Sequence, residues 1–172
     1  RKKVTVFHKA NIMKKTDGLF LRCVQAVHHA DFADIEYETR IIDAGCMRLV
    51  QDPTQFDVLL MENFYGDVVS DLAAGLVGGL GVVPGANLGE SCAVFEAVHG
   101  SAPDIAGQGK ANPLALIMSA VMMLNFLSES RGCDASKRAG QRIKDAYNQA
   151  LADGVKTGDL GGTLTTDAFA DA

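Results

Sequence analysis

The sequence has few cysteines, and their spacing matches no disulfide or metal-binding motif. It lacks a Cys-x-x-Cys motif and any Cys/His spacing that suits a metal ligand set. This pattern argues against a disulfide framework and indicates reduced thiols in an intracellular protein. We expect the cytoplasm as its compartment, with the mitochondrial matrix as the alternative. The four widely scattered positions are Cys23, Cys46, Cys92 and Cys133.

Basic residues are also in deficit. The chain has 16 Lys and Arg against 21 Asp and Glu, which gives a net charge of −5. A nucleic-acid backbone needs a basic face, so this charge argues against such a partner. The longest apolar stretch runs from Leu114 to Leu127 and is interrupted by Ser119 and Asn125. This pattern predicts a stretch too short to span a membrane, and we expect no membrane partner.

An initiating methionine and a signal peptide are absent as well. The chain begins at Arg1-Lys-Lys, directly before a strand-like run. We therefore expect a fragment of a longer protein or a partial chain. Its 172 residues, 48% of them hydrophobic, suffice to bury a core and fall within the usual range for one domain.

The G-x-G-x-x-G fingerprint of Rossmann dinucleotide sites is missing too. Gly79-x-Gly81 is followed by Pro84 where the third glycine should stand, and Gly107-x-Gly109 is followed by Asn112. Glycine is nevertheless dense from residue 75 to residue 109. That density indicates either tight turns that approach a ligand closely or merely a loop-rich stretch. Any dinucleotide here would be held in a different way.

Helix and strand patterns alternate along the chain. Strand-like runs occupy residues 4–7, 35–42 and 57–61, the first and last of them apolar and predicted to be buried. Helical patterns follow each run, and Thr16-Asp17-Gly18 supplies an N-cap candidate for the first helix. A long apolar helix is predicted to open at Asn112-Pro113, with Asn as the cap and Pro as the first helical residue. The alternation predicts an α/β fold class.

Asp67 and Asp71 are spaced four residues apart on a predicted helix. This spacing places both carboxylates on one helix face, where they can hold one object. Mg²⁺ favours one or two carboxylates and leaves other coordination positions open for substrate. The pair therefore indicates metal-assisted chemistry, or alternatively a solvated helix face carrying two unrelated acids.

A second candidate site lies in Glu96-Ala-Val-His-Gly-Ser-Ala-Pro-Asp-Ile-Ala-Gly. His99 could stack on a heteroaromatic ring, and the small residues Gly100, Ser101 and Ala102 let backbone amides approach a nucleotide. The Asp104 carboxylate would accept hydrogen bonds from a ribose diol and repel a 2′-phosphate, which favours NAD over NADP. The alternatives are a turn histidine at 99 and a helix cap at 104.

Four segments together resemble the metal-dependent β-decarboxylating dehydrogenases of isocitrate, 3-isopropylmalate and homoisocitrate. The resemblance extends from the first residue to the last, in the order that the family shows. It implies the α/β fold of isocitrate and isopropylmalate dehydrogenases, with this chain covering the later half. The segments are His8-Lys9-Ala-Asn11-Ile-Met-Lys, Asn63-Phe-Tyr-Gly-Asp67-Val-Val-Ser-Asp71-Leu-Ala, Val98-His99-Gly-Ser-Ala-Pro-Asp104-Ile-Ala-Gly and Asp159-Leu-Gly-Gly-Thr-Leu-Thr-Thr.

The resemblance also implies roles for individual residues. Lys9 matches the catalytic lysine, which the family contributes across a dimer. Asp67 and Asp71 match the carboxylates that hold Mg²⁺ or Mn²⁺, and Asp43 matches a third metal-site acid that reaches across from a second copy of the chain. The residues that match NAD contacts are Asn11, Leu80, Gly81, Glu96, His99, Gly100, Ser101, Ala102, Pro103, Asp104 and Asn112.

The same resemblance divides the chain into two parts. Residues 1–78 match the later part of the small, dimer-forming domain, and residues 79–172 match the C-terminal part of the large domain. The N-terminal portion of the family supplies most groups that read the substrate, so the 172 residues alone are expected to be inactive. The partners implied are a small 2-hydroxy tricarboxylate or dicarboxylate and a second copy of the chain, in a homodimer or higher oligomer.

Several activities remain open within this family. The segment His8-Lys9-Ala-Asn11-Ile-Met is more similar to NAD-dependent isocitrate dehydrogenases, whereas isopropylmalate enzymes tend to carry an acid before the lysine. Homoisocitrate dehydrogenase and 3-isopropylmalate dehydrogenase are the alternatives. A non-catalytic regulatory subunit of a multi-subunit isocitrate dehydrogenase is a further alternative, although Lys9, Asp43, Asp67 and Asp71 are all present.

Overall fold

The computed structural model of the chain describes residues 2–172. Helices and strands are both present, which confirms the predicted α/β class. The chain divides into two compact units, the first ending at Ala73 and the second running from Ala74 to Ala172. The assignment of residues 1–78 and 79–172 to two family domains stays a prediction.

The first unit is built around a three-stranded parallel sheet. Its strand order is β2-β1-β3, with Lys3 of β1 opposite Glu36 of β2 and Val4 of β1 opposite Val58 of β3. The helix α3 begins in this unit and ends in the next. The elements are β1 (Lys3–His8), α1 (Thr16–Asp31), β2 (Glu36–Ile41), α2 (Ile42–Gln51), a short 3₁₀ helix (Pro53–Gln55), β3 (Val58–Leu60) and α3 (Asn63–Val77).

The core of this unit lies against the central strand β1. Phe7 is fully buried and packs edge-on against Phe56, with the ring centroids 5.6 Å apart. Leu49 and Val69 complete the cluster. Gly45 lets α2 approach the strand, because a Cβ at this position would lie 2.6 Å from Cζ of Phe7. Central strands of parallel sheets are typically this apolar.

The run 57–61 was predicted to be a buried strand, and its burial differs from that prediction. In β3, Val58 is 52% exposed and Leu60 is 38% exposed. The reason is the strand order: β3 pairs with β1 on one side only and forms an edge of the sheet. An apolar run predicts a strand correctly, but its burial depends on what lies beside it.

The second unit combines an antiparallel hairpin with two long helices. The helix α4 packs against α5 and against both strands of the hairpin. The elements are a 3₁₀ helix (Leu80–Val82), β4 (Pro84–Leu88), β5 (Ala93–Ala97), a 3₁₀ helix (Pro103–Ile105), α4 (Leu114–Arg131), α5 (Asp134–Ala152), a 3₁₀ helix (Gly158–Leu160) and α6 (Thr166–Ala170).

The prediction that the apolar stretch is too short for a membrane is corrected by α4. At 18 residues this helix is long enough and apolar enough to cross a membrane, judged by length and composition alone. Core helices of globular proteins pass the same test. Here α4 contacts α5 and the hairpin, and its buried residues include Leu114, Ala115, Ser119 and Val121.

The start of α4 also differs slightly from the prediction. The helix begins at Leu114, one residue later than expected, and Pro113 occupies the N-cap position. Asn112 still caps the helix, because its Oδ1 accepts a hydrogen bond of 2.9 Å from the amide of Leu114. The capping residue was therefore predicted correctly and the first helical residue was not.

Candidate functional site

The first candidate site lies where the strands of the parallel sheet end. His8, the last residue of β1, pairs with Ile41, the last residue of β2. Lys9 and Asp43 follow these residues and therefore emerge at the same edge, where ligands of open α/β sheets typically bind. Their side chains form an ion pair, with Nζ of Lys9 3.0 Å from Oδ2 of Asp43.

Asp43 sits in the first turn of α2, where an acid is favoured by the helix dipole. The hydrogen bond from Lys9 holds the pKa of Asp43 below its ordinary value, with smaller contributions from the amides of Asp43 and Ala44. Asp43 is accordingly held in the charged form that a cation site requires. Its side chain is 68% exposed, so it is accessible to another molecule.

Asp67 and Asp71 lie on α3, which follows the carboxyl end of β3. Both are exposed and stand one helical turn apart. Oxygen donors of this kind fit a hard divalent cation such as Mg²⁺ or Mn²⁺. Within residues 2–172, however, no three His, Cys, Asp or Glu side chains gather closely enough to hold a metal. A single chain thus does not bring Asp43 together with the pair on α3, and delivery of Asp43 by a second copy stays a prediction.

Two side chains stabilise the turn that carries Lys9 by accepting hydrogen bonds from its first two backbone amides. The Lys9 amide donates to Oδ2 of Asp17, and the Ala10 amide donates to Nδ1 of His8. Asn11 follows in this turn and is exposed. Its predicted contact with NAD stays a prediction.

His8 makes the stability of this turn dependent on pH. Burial lowers the pKa of His8 from its ordinary 6.5, with a smaller opposing effect from the Asp17 charge. Nδ1 must be unprotonated to accept from Ala10, so the folded state favours the neutral ring. Because the folded pKa is lowered, this contribution is complete above pH 6.5 and is lost as the pH falls below it.

We therefore expect the melting temperature to fall between pH 7.5 and pH 5.5, and part of that fall to be absent in His8→Gln. Differential scanning fluorimetry across this range measures the effect. His29→Gln, at an exposed position on α1, is the matched control. Identical pH profiles for the wild type and His8→Gln would contradict the assignment.

The second candidate site is a cleft of about 690 Å³ within the second unit. Seven of the residues predicted to contact NAD line it, and most are small, so the backbone is open to a ligand. The lining residues that the sequence predicted are Leu80, Gly81, His99, Gly100, Ser101, Ala102 and Asn112.

The remaining predicted contacts in this unit do not line the cleft. Pro103 and Asp104 lie in the 3₁₀ helix that directly follows the lining residue Ala102. Glu96 is on β5, where its Oε1 accepts a hydrogen bond of 2.8 Å from Nδ2 of Asn87. The alternative that Asp104 is a helix cap does not hold, since it is a residue of the 3₁₀ helix and its side chain makes no capping bond.

Ala102 adopts a backbone conformation that is unusual for a residue with a side chain. Its φ of 43° and ψ of 61° are left-handed, and it directly precedes Pro103. Such conformations cost of order 1–3 kcal/mol and concentrate at functional sites. Next to it, His99 Nδ1 lies 2.9 Å from the Gly100 carbonyl oxygen, and the ring itself is exposed.

One wall of the cleft depends on Asp159, which was not among the predicted site residues. Its Oδ2 accepts a hydrogen bond of 3.0 Å from Asn112, and its Oδ1 accepts from the Thr157 hydroxyl. Gly81 packs against this pair, because a Cβ there would lie 2.7 Å from Oδ2 of Asp159 and 3.2 Å from Cβ of Asn112. The available signal was the segment beginning at Asp159, which contributed to the family resemblance. Other unpredicted lining residues include Lys110, Thr166 and Asp167.

Gly81→Ala is expected to weaken NAD⁺ binding by the complete protein at least about tenfold, because the added methyl group must displace the Asn112–Asp159 pair. Titration of NADH fluorescence measures the change. Gly158→Ala is the matched control, since no other atom of residues 2–172 lies within 4 Å of a Cβ at that position, apart from the chain neighbours. Equal affinities of the two variants for the nucleotide would show that the packing of Gly81 against Asn112 and Asp159 does not contribute to nucleotide binding.

Comparison with known proteins decides the family. The family model described as isocitrate/isopropylmalate dehydrogenase matches residues 1–172. The chain belongs to the isocitrate/isopropylmalate dehydrogenase family. This confirms the resemblance inferred from the four sequence segments.

Two relatives show the range of names within this family. The chain is 54% identical to the alpha chain of a probable mitochondrial isocitrate dehydrogenase [NAD] of Caenorhabditis elegans, with 98% of this chain and 45% of that protein covered. It is 51% identical to a regulatory chain of the mitochondrial isocitrate dehydrogenase [NAD] of Dictyostelium discoideum, with 99% and 47% covered. The chain thus spans about half the length of these family members.

A solved structure of the family has the same fold. The crystal structure of isocitrate dehydrogenase from Methylococcus capsulatus superposes with a TM-score of 0.86 at 47% sequence identity. The match covers 99% of this chain and 49% of that one. The predicted isocitrate/isopropylmalate dehydrogenase-like fold is therefore confirmed for a partial chain of the family.

Proposed function

We propose that the chain is the C-terminal portion of an NAD-dependent isocitrate dehydrogenase, which oxidises and decarboxylates isocitrate to 2-oxoglutarate. The observation that carries the proposal is the ion pair between Nζ of Lys9 and Oδ2 of Asp43 at 3.0 Å. It joins the residue matched to the catalytic lysine with a residue matched to a metal-site acid. An acid–base group and a metal ligand side by side suit a reaction that needs both a proton transfer and a polarised oxygen.

The residues of the chain divide the work between two sites. Asp67 and Asp71, with Asp43 from a second copy, would hold Mg²⁺ or Mn²⁺. When bound, the metal supplies Lewis-acid polarisation of the substrate oxygens and NAD⁺ supplies the hydride acceptor. Lys9 takes or relays a proton at the substrate, and the cleft lined by residues 99–102 orients the nucleotide.

Asp104 supports NAD rather than NADP as the cofactor. Asp104 follows the lining residue Ala102 by two positions, and a negative charge there would accept hydrogen bonds from a ribose diol and repel a 2′-phosphate. Its backbone is fixed by a hydrogen bond of 2.7 Å from Nε2 of Gln108 to the Asp104 carbonyl. This contact stabilises the 3₁₀ helix that presents the carboxylate.

The test is an assay of the complete polypeptide with three substrates: isocitrate, homoisocitrate and 3-isopropylmalate. Each is assayed with NAD⁺ and with NADP⁺, in Mn²⁺ and in EDTA. We expect turnover to be highest with isocitrate and NAD⁺ and to be abolished by EDTA. If turnover is highest with one of the other two acids, that acid is the substrate and the proposal of isocitrate is wrong. The 172-residue chain alone is expected to be inactive, and measurable turnover by it would contradict the proposed need for the preceding half.

A second candidate is a non-catalytic regulatory subunit. The name of the Dictyostelium relative favours it, whereas the presence of Lys9, Asp43, Asp67 and Asp71 favours a catalytic chain. Isothermal titration calorimetry of the complete protein separates the two. A catalytic chain should bind isocitrate more tightly with Mn²⁺ than without it, and a regulatory chain lacking a metal site should not.

We further propose a homodimer or higher oligomer with a shared active site. The mitochondrial matrix is the compartment we propose over the cytoplasm, because both relatives described above are named as mitochondrial proteins. Fractionation of cells that express the complete protein tests this location.

A further inference from the structure

One acid of the first unit is buried beside the turn that carries Lys9. Asp17 is 2% exposed, and within residues 2–172 it is the one charged side chain among the buried residues. Burying a carboxylate costs free energy unless hydrogen bonds replace its hydration. The contacts of the Asp17 carboxylate show which groups its charge holds in place.

The contacts of Asp17 differ from those of a helix cap. It occupies the first turn of α1, but the N-cap position belongs to Lys15 and no side chain caps the helix. Its closest hydrogen bond runs outside the helix: Oδ2 accepts from the Lys9 amide at 2.6 Å. Oδ1 accepts from the Thr16 hydroxyl at 3.0 Å, and the Tyr65 hydroxyl stabilises the same carboxylate.

These bonds compensate for the burial. Burial opposes ionisation of Asp17, but the hydrogen bonds from Lys9, Thr16 and Tyr65 outweigh it and keep the pKa of Asp17 below its ordinary value. The carboxylate is therefore charged at neutral pH, and its hydrogen bonds are of the stronger, charge-assisted kind. The Lys9 amide is held by one of them.

The result is a lysine that is fixed at both ends. The carbonyl of Lys9 accepts hydrogen bonds from the amides of Ile12 at 2.9 Å and Met13 at 2.8 Å, so both backbone polar groups are satisfied. Its Nζ is paired with Asp43 at 3.0 Å. A lysine on a flexible four-carbon stem gains precision only if its backbone does not move.

Asp17 also links this turn to the helix of the proposed metal ligands. Tyr65 belongs to α3, two residues before Asp67. The Asp17 carboxylate therefore accepts a hydrogen bond from the backbone of Lys9 and is also stabilised by Tyr65 of the helix that carries Asp67 and Asp71. Displacements near 1 Å at a reacting group can cost about a hundredfold in rate, so such a link has a kinetic consequence.

We propose that Asp17 is a positioning residue for the reaction, holding the backbone of Lys9 in register with α3 through the hydrogen bond from the Lys9 amide. This inference rests on the proposed function, since it concerns the rate of the step that Lys9 serves. Asp17 is not proposed to touch substrate or cofactor. It acts through Lys9.

The test compares substitutions of Asp17 with a matched control in the complete protein. Asp17→Ala removes the acceptor, and Asp17→Asn keeps an amide oxygen that can still accept from Lys9. Thr16→Val removes a hydrogen bond to the other carboxylate oxygen and leaves the Lys9 bond in place. We expect kcat with isocitrate to fall at least about tenfold in Asp17→Ala, less in Asp17→Asn, and less than about twofold in Thr16→Val, with KM and NAD⁺ affinity nearly unchanged.

A merely structural role for Asp17 would give a different result. It would lower the melting temperature and the fraction of active protein, while kcat per folded molecule stayed at the wild-type value. Values of kcat for Asp17→Ala and Asp17→Asn that match Thr16→Val, after correction for the folded fraction, would overturn the proposal. If Asp17→Ala does not fold, the nearly isosteric Asp17→Asn decides, because its neutral amide oxygen accepts from the Lys9 amide more weakly than the carboxylate does.

Hydrogen exchange separates failure of this proposal from failure of the proposed function. A wild-type protein without turnover would refute the dehydrogenase activity but leave the contact testable. The Lys9 amide should then exchange at least about tenfold faster in Asp17→Ala, and by a smaller factor in Asp17→Asn, than in the wild type or Thr16→Val. Equal exchange in all four proteins would overturn the positioning role.

Discussion

Lys9→Met in the complete protein is expected to lower kcat with isocitrate at least about 100-fold, with KM for isocitrate and affinity for NAD⁺ little changed. Methionine retains the unbranched stem and removes the ammonium group, so packing of the turn is largely preserved. The loss falls on the proton transfer, which is where a general acid–base group contributes about 10²–10⁴-fold. Steady-state assays of NADH formation in Mn²⁺ measure both parameters.

The control for this prediction is Lys15→Met, which removes an exposed lysine from the N-cap position of α1. It should retain wild-type turnover, because Lys15 lies outside the pair formed by Lys9 and Asp43. Near-normal kcat in Lys9→Met would show that the assigned role is wrong. A raised KM at unchanged kcat would instead assign Lys9 to substrate binding.

The strands that position the first candidate site were predictable from local patterns, but the ion pair between Lys9 and Asp43 was not predicted. Apolar runs predict the strands, and residues that directly follow parallel strands share one edge of the sheet. Lys9 and Asp43 meet for this reason, 34 positions apart in sequence but aligned by the register of β1 and β2. The roles of both residues came from the family resemblance rather than from periodicity.

The cleft of the second unit was predictable only in part. The segment from His99 to Ala102 is small and polar enough to be noticed in the sequence, and it lines the cleft. Asp159 was missed because its role depends on a hydrogen bond to Asn112, 47 positions earlier. The segment that begins at Asp159 contributed to the family resemblance, but nothing in it predicted this distant partner.

Two features of the fold escaped sequence reasoning for a similar physical reason. The hairpin of β4 and β5 lies in the glycine-rich region, where weak strand propensity and short runs hide the alternation. Asp17 was considered only as part of an N-cap candidate, since an acid at a helix start is usually solvated. In the structure Asp17 is buried and accepts a hydrogen bond from the Lys9 amide, and this contact depends on how α1 follows β1.

Two variants that are inactive alone are expected to regain activity when they are co-expressed, if the active site is shared between two copies of the chain. Lys9→Met and Asp71→Asn, each expressed alone in the complete protein, should both have at most about 1% of wild-type activity. Co-expression yields homodimers and heterodimers in a ratio of roughly 1:2:1. In each heterodimer one site carries both substitutions and the other carries neither. Roughly half of the dimers are heterodimers, and one of the two sites in each is intact, so roughly a quarter of wild-type activity should return.

The structure supplies a strict control for this experiment. Lys9 and Asp43 form their ion pair within one chain, so both contribute to the same side of a shared site. Co-expression of Lys9→Met with Asp43→Asn therefore leaves one substitution in every site of the heterodimer, and no activity should return. Differently tagged chains purified in tandem isolate the heterodimers. Recovery in both mixtures, or in neither although heterodimers form, would contradict a site built from Lys9 and Asp43 of one chain and Asp67 and Asp71 of the other.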